Sequence, residues 1–208
     1  MIYTKENNLH FVPVTKDNII LATETEMKFW PNSCAYNSYL NAYNKGKPYW
    51  LVYKDDEIVG ISGIYDYPEL GEKNTAWLGW FGVLEKFRGS GYGKEILLKT
   101  LDIAKEQGYS ILRLYSSKRT DLCPNAVPFY NKISSQFNGF VEDYTLEQPE
   151  MQRIVVSFSL NGQQISKWNN RNLFLEKDKK DENDGLLKFL HEKELIKNNC
   201  KKKITNKM

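Results

Sequence analysis

The segment that most restricts how this 208-residue chain can fold is Arg88-Gly89-Ser90-Gly91-Tyr92-Gly93-Lys94. It lies between an apolar run, TAWLGWFGVL over 75–84, and an amphipathic stretch, KEILLKTLDIAKEQG, that begins at Lys94. A run apolar on both faces reads as a central strand. In the stretch after it, Leu97, Leu101 and Ala104 share one helical face, with Ile96 and Ile103 at its edges and Gly108 as a natural stop. A further strand, SILRLYS, follows over 110–116. Strand, crossover helix and strand predict a parallel pair with a right-handed connection. The turn between them is an anion site. The first N–H groups of a helix have no intrahelical acceptor, and the helix dipole favours negative charge there. Arg88 and Lys94 add a cation at each end of the turn.

Around this unit the pattern predicts a first strand over 9–14, then a helix capped by Thr15 or Asp17 and running toward Phe29, where Pro31 interrupts. Residues 33–44 predict a second helix with Tyr36, Tyr39, Leu40 and Tyr43 on one side. Residues 49–54 and 58–65 are rich in β-branched and aromatic side chains and read as a hairpin around 55–57. A polar loop spans 66–74, and a short helix containing Pro128 spans 125–134. Segments 140–145 and 152–160 form a closing antiparallel pair, and 168–175 adds an edge segment. No repeat or flexible linker divides the first 170 residues, so one domain is expected over 1–176. Residues 177–208 hold ten Lys against six acids and are expected as a charged tail, partly helical or disordered.

That tail carries the basic balance. Residues 1–176 hold 19 basic and 20 acidic residues, which argues against a nucleic-acid surface on the body and leaves only the tail for such a partner. The longest apolar stretch, 76–84, is far short of the ~20 residues of a membrane span. The N-terminus has no apolar signal region, so a cytoplasmic protein is expected. Cys34, Cys123 and Cys200 are far apart, there are two histidines, and no CxxC occurs. A disulfide framework and a structural metal site are not expected.

The ligand of the turn can be narrowed. A P-loop, GxxxxGK[ST], fails because position 88 is Arg and position 95 is Glu, so the magnesium-holding hydroxyl is missing. A dinucleotide turn, GxGxxG, fails because position 94 is Lys when counted from Gly89, and position 96 is Ile when counted from Gly91. What remains is Arg88-x-x-Gly91-x-Gly93 between a strand and a helix. In this the chain resembles the GNAT superfamily of acyl-CoA-dependent N-acyltransferases, whose signature is R/Q-x-x-G-x-G/A. The order of elements over 9–160 is also similar, and Ala126-x-x-x-Tyr130-x-Lys132 resembles a second family motif. Three departures stand out. Cys123 occupies the place where Asn is frequent seven residues before the Tyr, Glu85 stands three residues before Arg88 where Pro is usual, and 133–140 is longer than the family's short closing turn.

The resemblance implies an α/β fold with a central mixed sheet flanked by helices, and acetyl-CoA as co-substrate without a metal. It implies that the CoA pyrophosphate sits on the N–H groups of Arg88, Gly89, Ser90, Gly91, Tyr92, Gly93 and Lys94. Phe81, Gly82 and Val83 would offer backbone groups to the pantetheine arm, with Asn125 and Tyr130 completing the contacts. The Val83 N–H would hold the thioester carbonyl and its tetrahedral oxyanion. Tyr130 would be the general acid for the departing thiolate, a role suited to a phenol with an ordinary pKa of ~10. Transfer would be direct, in a ternary complex. For a general base the candidates are Asp66, Glu69 and Glu72, because the strand itself holds no carboxylate. Small amines and protein amines stay open as acceptors, as do a monomer and a homodimer. The competing expectation is a non-catalytic acyl-CoA-binding or sensing module.

Overall fold

The computed structural model describes residues 8–66, 72–121, 125–146, 149, 152–168 and 188–196. In chain order the elements are β1 (Leu9–Pro13), α1 (Ile19–Glu26), α2 (Tyr36–Asn44), β2 (Tyr49–Lys54), β3 (Glu57–Tyr65), β4 (Thr75–Leu78) and β5 (Gly82–Val83). After them come α3 (Tyr92–Glu106), β6 (Ile111–Ser117), α4 (Ala126–Ser134), β7 (Phe140–Asp143) and β8 (Arg153–Ser159). A last helix, α5, spans 188–196. The strands form one sheet in the order β1-β2-β3-β4-β6-β8-β7, with β5 paired to β3. As the strand–helix–strand pattern predicts, β4 and β6 are parallel, with Thr75 opposite Ile111. Every other pairing is antiparallel.

Strand alternation sorts the side chains onto two faces. Trp50, Ile64, Ala76, Leu78, Ile154, Val156 and Phe158 face α3 and α4, meeting Leu97, Leu101, Ala104, Tyr130 and Ile133. Their alternates Leu51 and Ile61 face α1 and α2, meeting Ile19, Ala22, Tyr36 and Tyr39, and Phe189 of α5 joins this second core. At the far end of that face Trp77 and Val155 pack with Tyr144 and Trp168. Arg113 is fully buried on β6. It is neutralised by two hydrogen bonds to Glu72, each 3.1 Å, and by donation to the Ser166 carbonyl.

Some expectations need correction. The run 75–84 is not one strand but two short ones, β4 and β5, broken at 79–81. Asn18, not Thr15 or Asp17, stands at the N-cap of α1. Its side-chain oxygen accepts from the Thr15 N–H, 2.7 Å away, instead of from the helix. On α2 the buried residues are Tyr36, Tyr39 and Ala42, while Tyr43 is exposed. Residues 163–168 form no strand, and 169–175 lie outside the described residues. Cys34 is buried and in no disulfide among the described residues, whereas Cys123 and Cys200 lie outside the described residues. No described helix is long and apolar enough to cross a membrane.

Candidate functional site

The break between β4 and β5 creates the site. On β4, Leu78 lies opposite Ile64, and the Gly79 N–H donates to the Gly63 carbonyl. On β5, Gly82 lies opposite Ile61 and Val83 opposite Gly60. Two residues, Trp80 and Phe81, therefore stand opposite the single Ser62, which is a β-bulge. Its strained member is Trp80, with φ +46. The bulge reverses which residues bond to β3. The Leu84 N–H reaches the Val59 carbonyl at 2.9 Å, so the alternation turns the N–H and C=O of Val83 away from β3. They face a gap, because β6 pairs with β4 only as far as Trp77 and then runs on to Ser117 along β8.

That gap belongs to one open groove of about 1320 Å³, large enough for two substrates end to end. Phe81, Gly82, Val83, Arg88, Gly89, Gly91, Gly93, Lys94, Asn125 and Tyr130 line it together. Ser90 and Tyr92 do not line it: Ser90 is exposed, and Tyr92 packs its ring on Phe87. At the signature turn Gly89 and Gly91 adopt φ +81 and +87, and a Cβ built on either would meet no atom within 4 Å. Gly91 is the N-cap of α3 and its carbonyl accepts from Lys94 and Glu95. Among the described residues no protein acceptor takes the N–H groups of Gly89, Ser90, Gly91, Tyr92 or Gly93. Unpaired donors beneath open space, flanked by the exposed Arg88 and Lys94, suit a pyrophosphate. Arg88 also donates from Nε to the Val83 carbonyl at 3.1 Å, tying the turn to the gap.

Helix α4 closes the opposite lip. Asn125 at its N-cap adopts φ +64, and its carbonyl accepts from the Phe129 N–H. Pro128 is tolerated in the first turn because that N–H would have no helical partner. Phe129 stacks on Phe81, with ring centroids 6.2 Å apart, and Tyr130 tilts against the same ring at 6.4 Å. The bulge and the buried Tyr130 thus share one aromatic contact, although Tyr130 lies 49 positions after Phe81.

The carboxylates proposed as bases are engaged elsewhere. Asp66 lies 2.8 Å from the Lys47 ammonium and accepts from the Tyr109 hydroxyl at 3.0 Å. Burial alone would raise the Asp66 carboxyl, but hydrogen bonds from Lys47 and Tyr109 outweigh it and hold the group below the ordinary carboxylate value. Lys47 is the mirror case: burial lowers it, and its bonds to Asp66 and Tyr109 raise it on balance. Glu72 is the partner of Arg113. Glu69 lies outside the described residues.

At the opposite end of the groove, sequence reasoning leaves Trp77 and Trp80 as sheet packing or as lining of an acceptor cleft bordered by 30–47. Trp80 and Trp30 line it and Trp77 does not, while Phe29, Glu26 and the bulge were missed. There Trp30 of the α1–α2 connection packs against Trp80, and Phe29 packs against Trp30. The connection is held by Glu26, which has no exposed surface and accepts from the Ser33 hydroxyl and from the Ala35 N–H. The neighbouring Tyr39 hydroxyl is buried with no hydrogen-bond partner among the described residues, and its pKa is pushed well up by burial and then by the Glu26 charge. The one available signal was Gly79-Trp80-Phe81-Gly82, two aromatics between glycines inside an apolar run. No cluster of three or more His, Cys, Asp or Glu able to hold a metal occurs among the described residues.

The chain is similar to known acetyltransferases. The family description "Acetyltransferase (GNAT) family" matches residues 18–134, more than half of the chain. A spermine/spermidine N(1)-acetyltransferase of Bacillus subtilis (strain 168) is 33% identical over 96 residues, which are 45% of this chain and 61% of that relative. The match therefore spans about three fifths of the relative's length. Two solved structures share the fold. A GNAT family acetyltransferase from Elizabethkingia anophelis with acetyl-CoA bound has TM-score 0.54 and 15% identity, covering 74% of this chain and 99% of that one. A GNAT acetyltransferase from Staphylococcus aureus Mu50 has TM-score 0.54 and 16% identity, covering 73% and 99%.

Proposed function

We propose that this chain, which belongs to the GNAT acetyltransferase family, transfers an acetyl group from acetyl-CoA to a small primary amine. One observation carries the reading. The unpaired N–H groups of the signature turn and the bulge-freed N–H of Val83 open onto one groove. The thioester supplies an activated acyl carbon and a thiolate leaving group. The turn from Gly89 to Gly93 holds the pyrophosphate through backbone donors, with Arg88 and Lys94 adding charge. The Val83 N–H donates to the carbonyl oxygen, where negative charge grows as the amine attacks. Tyr130 gives its hydroxyl proton to the sulfur as the carbon–sulfur bond breaks.

The amine must arrive without its extra proton. With Asp66 and Glu72 both ion-paired, water takes that proton, so kcat/KM for the amine rises with pH toward the amine's own pKa. The test is direct. Acetyl-CoA is titrated calorimetrically, and acetylated product is then followed by mass spectrometry over an amine panel. Binding followed by transfer supports the reading. Binding with no transfer to any amine would instead make the chain an acyl-CoA-binding module.

A further inference from the structure

The two ends of the groove offer different chemistry, and the acceptor end is specific enough to name a substrate class. Resting on the acetyl-transfer reading above, we infer that the acceptor is an arylalkyl monoamine rather than a polyamine. Trp80 is half-buried and sits at φ +46, a conformation that bulky residues rarely adopt. In that conformation its ring meets Trp30 at 5.4 Å and 59°, and Trp30 meets Phe29 at 5.4 Å and 45°. Phe29 in turn covers β5: a Cβ built on Gly82 would come within 2.9 Å of the Phe29 ring. The aromatic wall therefore ends beside Val83, where the amine must present its nitrogen.

Charge argues the same way. Lys45 and Lys47 line this end of the groove. Of the lining carboxylates, Asp66 is held by Lys47 at 2.8 Å and Asp121 by Arg119 at 2.6 Å. Glu26 lies beneath the wall with no exposed surface and both oxygens occupied. A second ammonium would find two lysines and, among the described residues, no unpaired lining carboxylate. An aromatic body would find three half-buried rings. The name of the Bacillus subtilis relative points toward polyamines, but the chemistry of this end does not.

The experiment measures initial rates at saturating acetyl-CoA with 2-phenylethylamine, butylamine and spermidine, using the full chain. Phenylethylamine is expected to exceed both others in kcat/KM by at least about tenfold, the worth of burying one ring. Two variants probe the wall. Trp80→Gly removes the ring while suiting the positive φ, so the fold is retained, and Trp30→Leu removes the facing ring. In both, the phenylethylamine-to-butylamine ratio is expected to fall toward one through a raised amine KM, with the acetyl-CoA KM unchanged. A preference for spermidine, or an unchanged ratio in both variants, overturns this inference alone. Transfer to none of the three amines, with acetyl-CoA still bound, overturns this inference, and no transfer across the wider amine panel overturns the proposed function as well.

Discussion

The proposed cofactor end of the groove is made of backbone, and the proposed acceptor end is made of side chains. At the first, five consecutive residues, Gly89 to Gly93, present their own N–H groups, whereas those expected of Arg88 and Lys94 are spent on the Glu85 and Gly91 carbonyls. At the second, Phe29 and Trp30 come from the α1–α2 connection, Lys47 precedes β2, and Trp80 comes from the bulge. A ligand held by consecutive backbone donors demands a local conformation, and local conformation leaves a spacing in the sequence. A ligand held by side chains from separated segments demands only that the fold bring them together.

The difference can be tested by damaging each end separately. The largest effect is expected at the backbone end. Gly91→Trp places a side chain over the turn at φ +87. It should weaken acetyl-CoA about 1,000-fold, the worth of two charge-assisted hydrogen bonds, as read by calorimetry. Affinity within a few fold of the original would remove the turn from the site. Next, Tyr130→Phe should lower kcat about 100-fold while leaving the acetyl-CoA KM alone. A rate unchanged in steady-state assays would mean that the proton reaches sulfur by another route.

The framework beneath the groove should respond in stability. Glu72→Ala leaves the fully buried Arg113 without its carboxylate. This should cost about 2 kcal/mol, with Ser157 and Ser166 retaining part of the hydrogen bonding, as read by urea denaturation. A loss below the error of the measurement would show that those two residues suffice.

The smallest effect is expected at Asp66. Its pair with Lys47 is about one quarter exposed on each side, so Asp66→Asn should cost only about 0.5 kcal/mol at neutral pH. The sign with pH follows from the shifts. Asp66 is held below its unfolded value, so its contribution is present above about pH 4 and is lost as pH falls through the lowered value. Lys47 is held above its unfolded value, so its share is present below about pH 10 and disappears as pH rises through the raised value. The difference between the two proteins should therefore be flat near neutrality and shrink toward both extremes. A difference that grows in acid would contradict the pairing.

These ends also explain what could be read in advance. The parallel β4–α3–β6 unit was legible because Leu97, Leu101 and Ala104 repeat at helical spacing between two apolar strands. The hairpin of β2 and β3 was legible from its β-branched residues. The bulge was not, because TAWLGWFGVL is apolar at almost every position and alternation has nothing to register against. The engagement of Asp66 by Lys47 and Tyr109, across 19 and 43 positions, is a product of the sheet order and has no local trace. The contact of α5 with α1, through Lys193 and Glu24 at 2.6 Å, spans 169 positions and is equally silent.

The bulge has one further consequence, which concerns phase. Along β3 the residues that bond toward β4 and β5 are Val59, Ile61 and Gly63, all odd. Their partners are Gly79 before the bulge, and Gly82 and Leu84 after it, so odd numbers give way to even. The additional residue works as a half-period delay in a wave that would otherwise run unbroken from 75 to 84. Flattening the bulge with every residue kept would place Val83 opposite Val59 and return its N–H to that carbonyl. The strand would be intact and better paired, and its one donor toward the groove would be spent on the sheet.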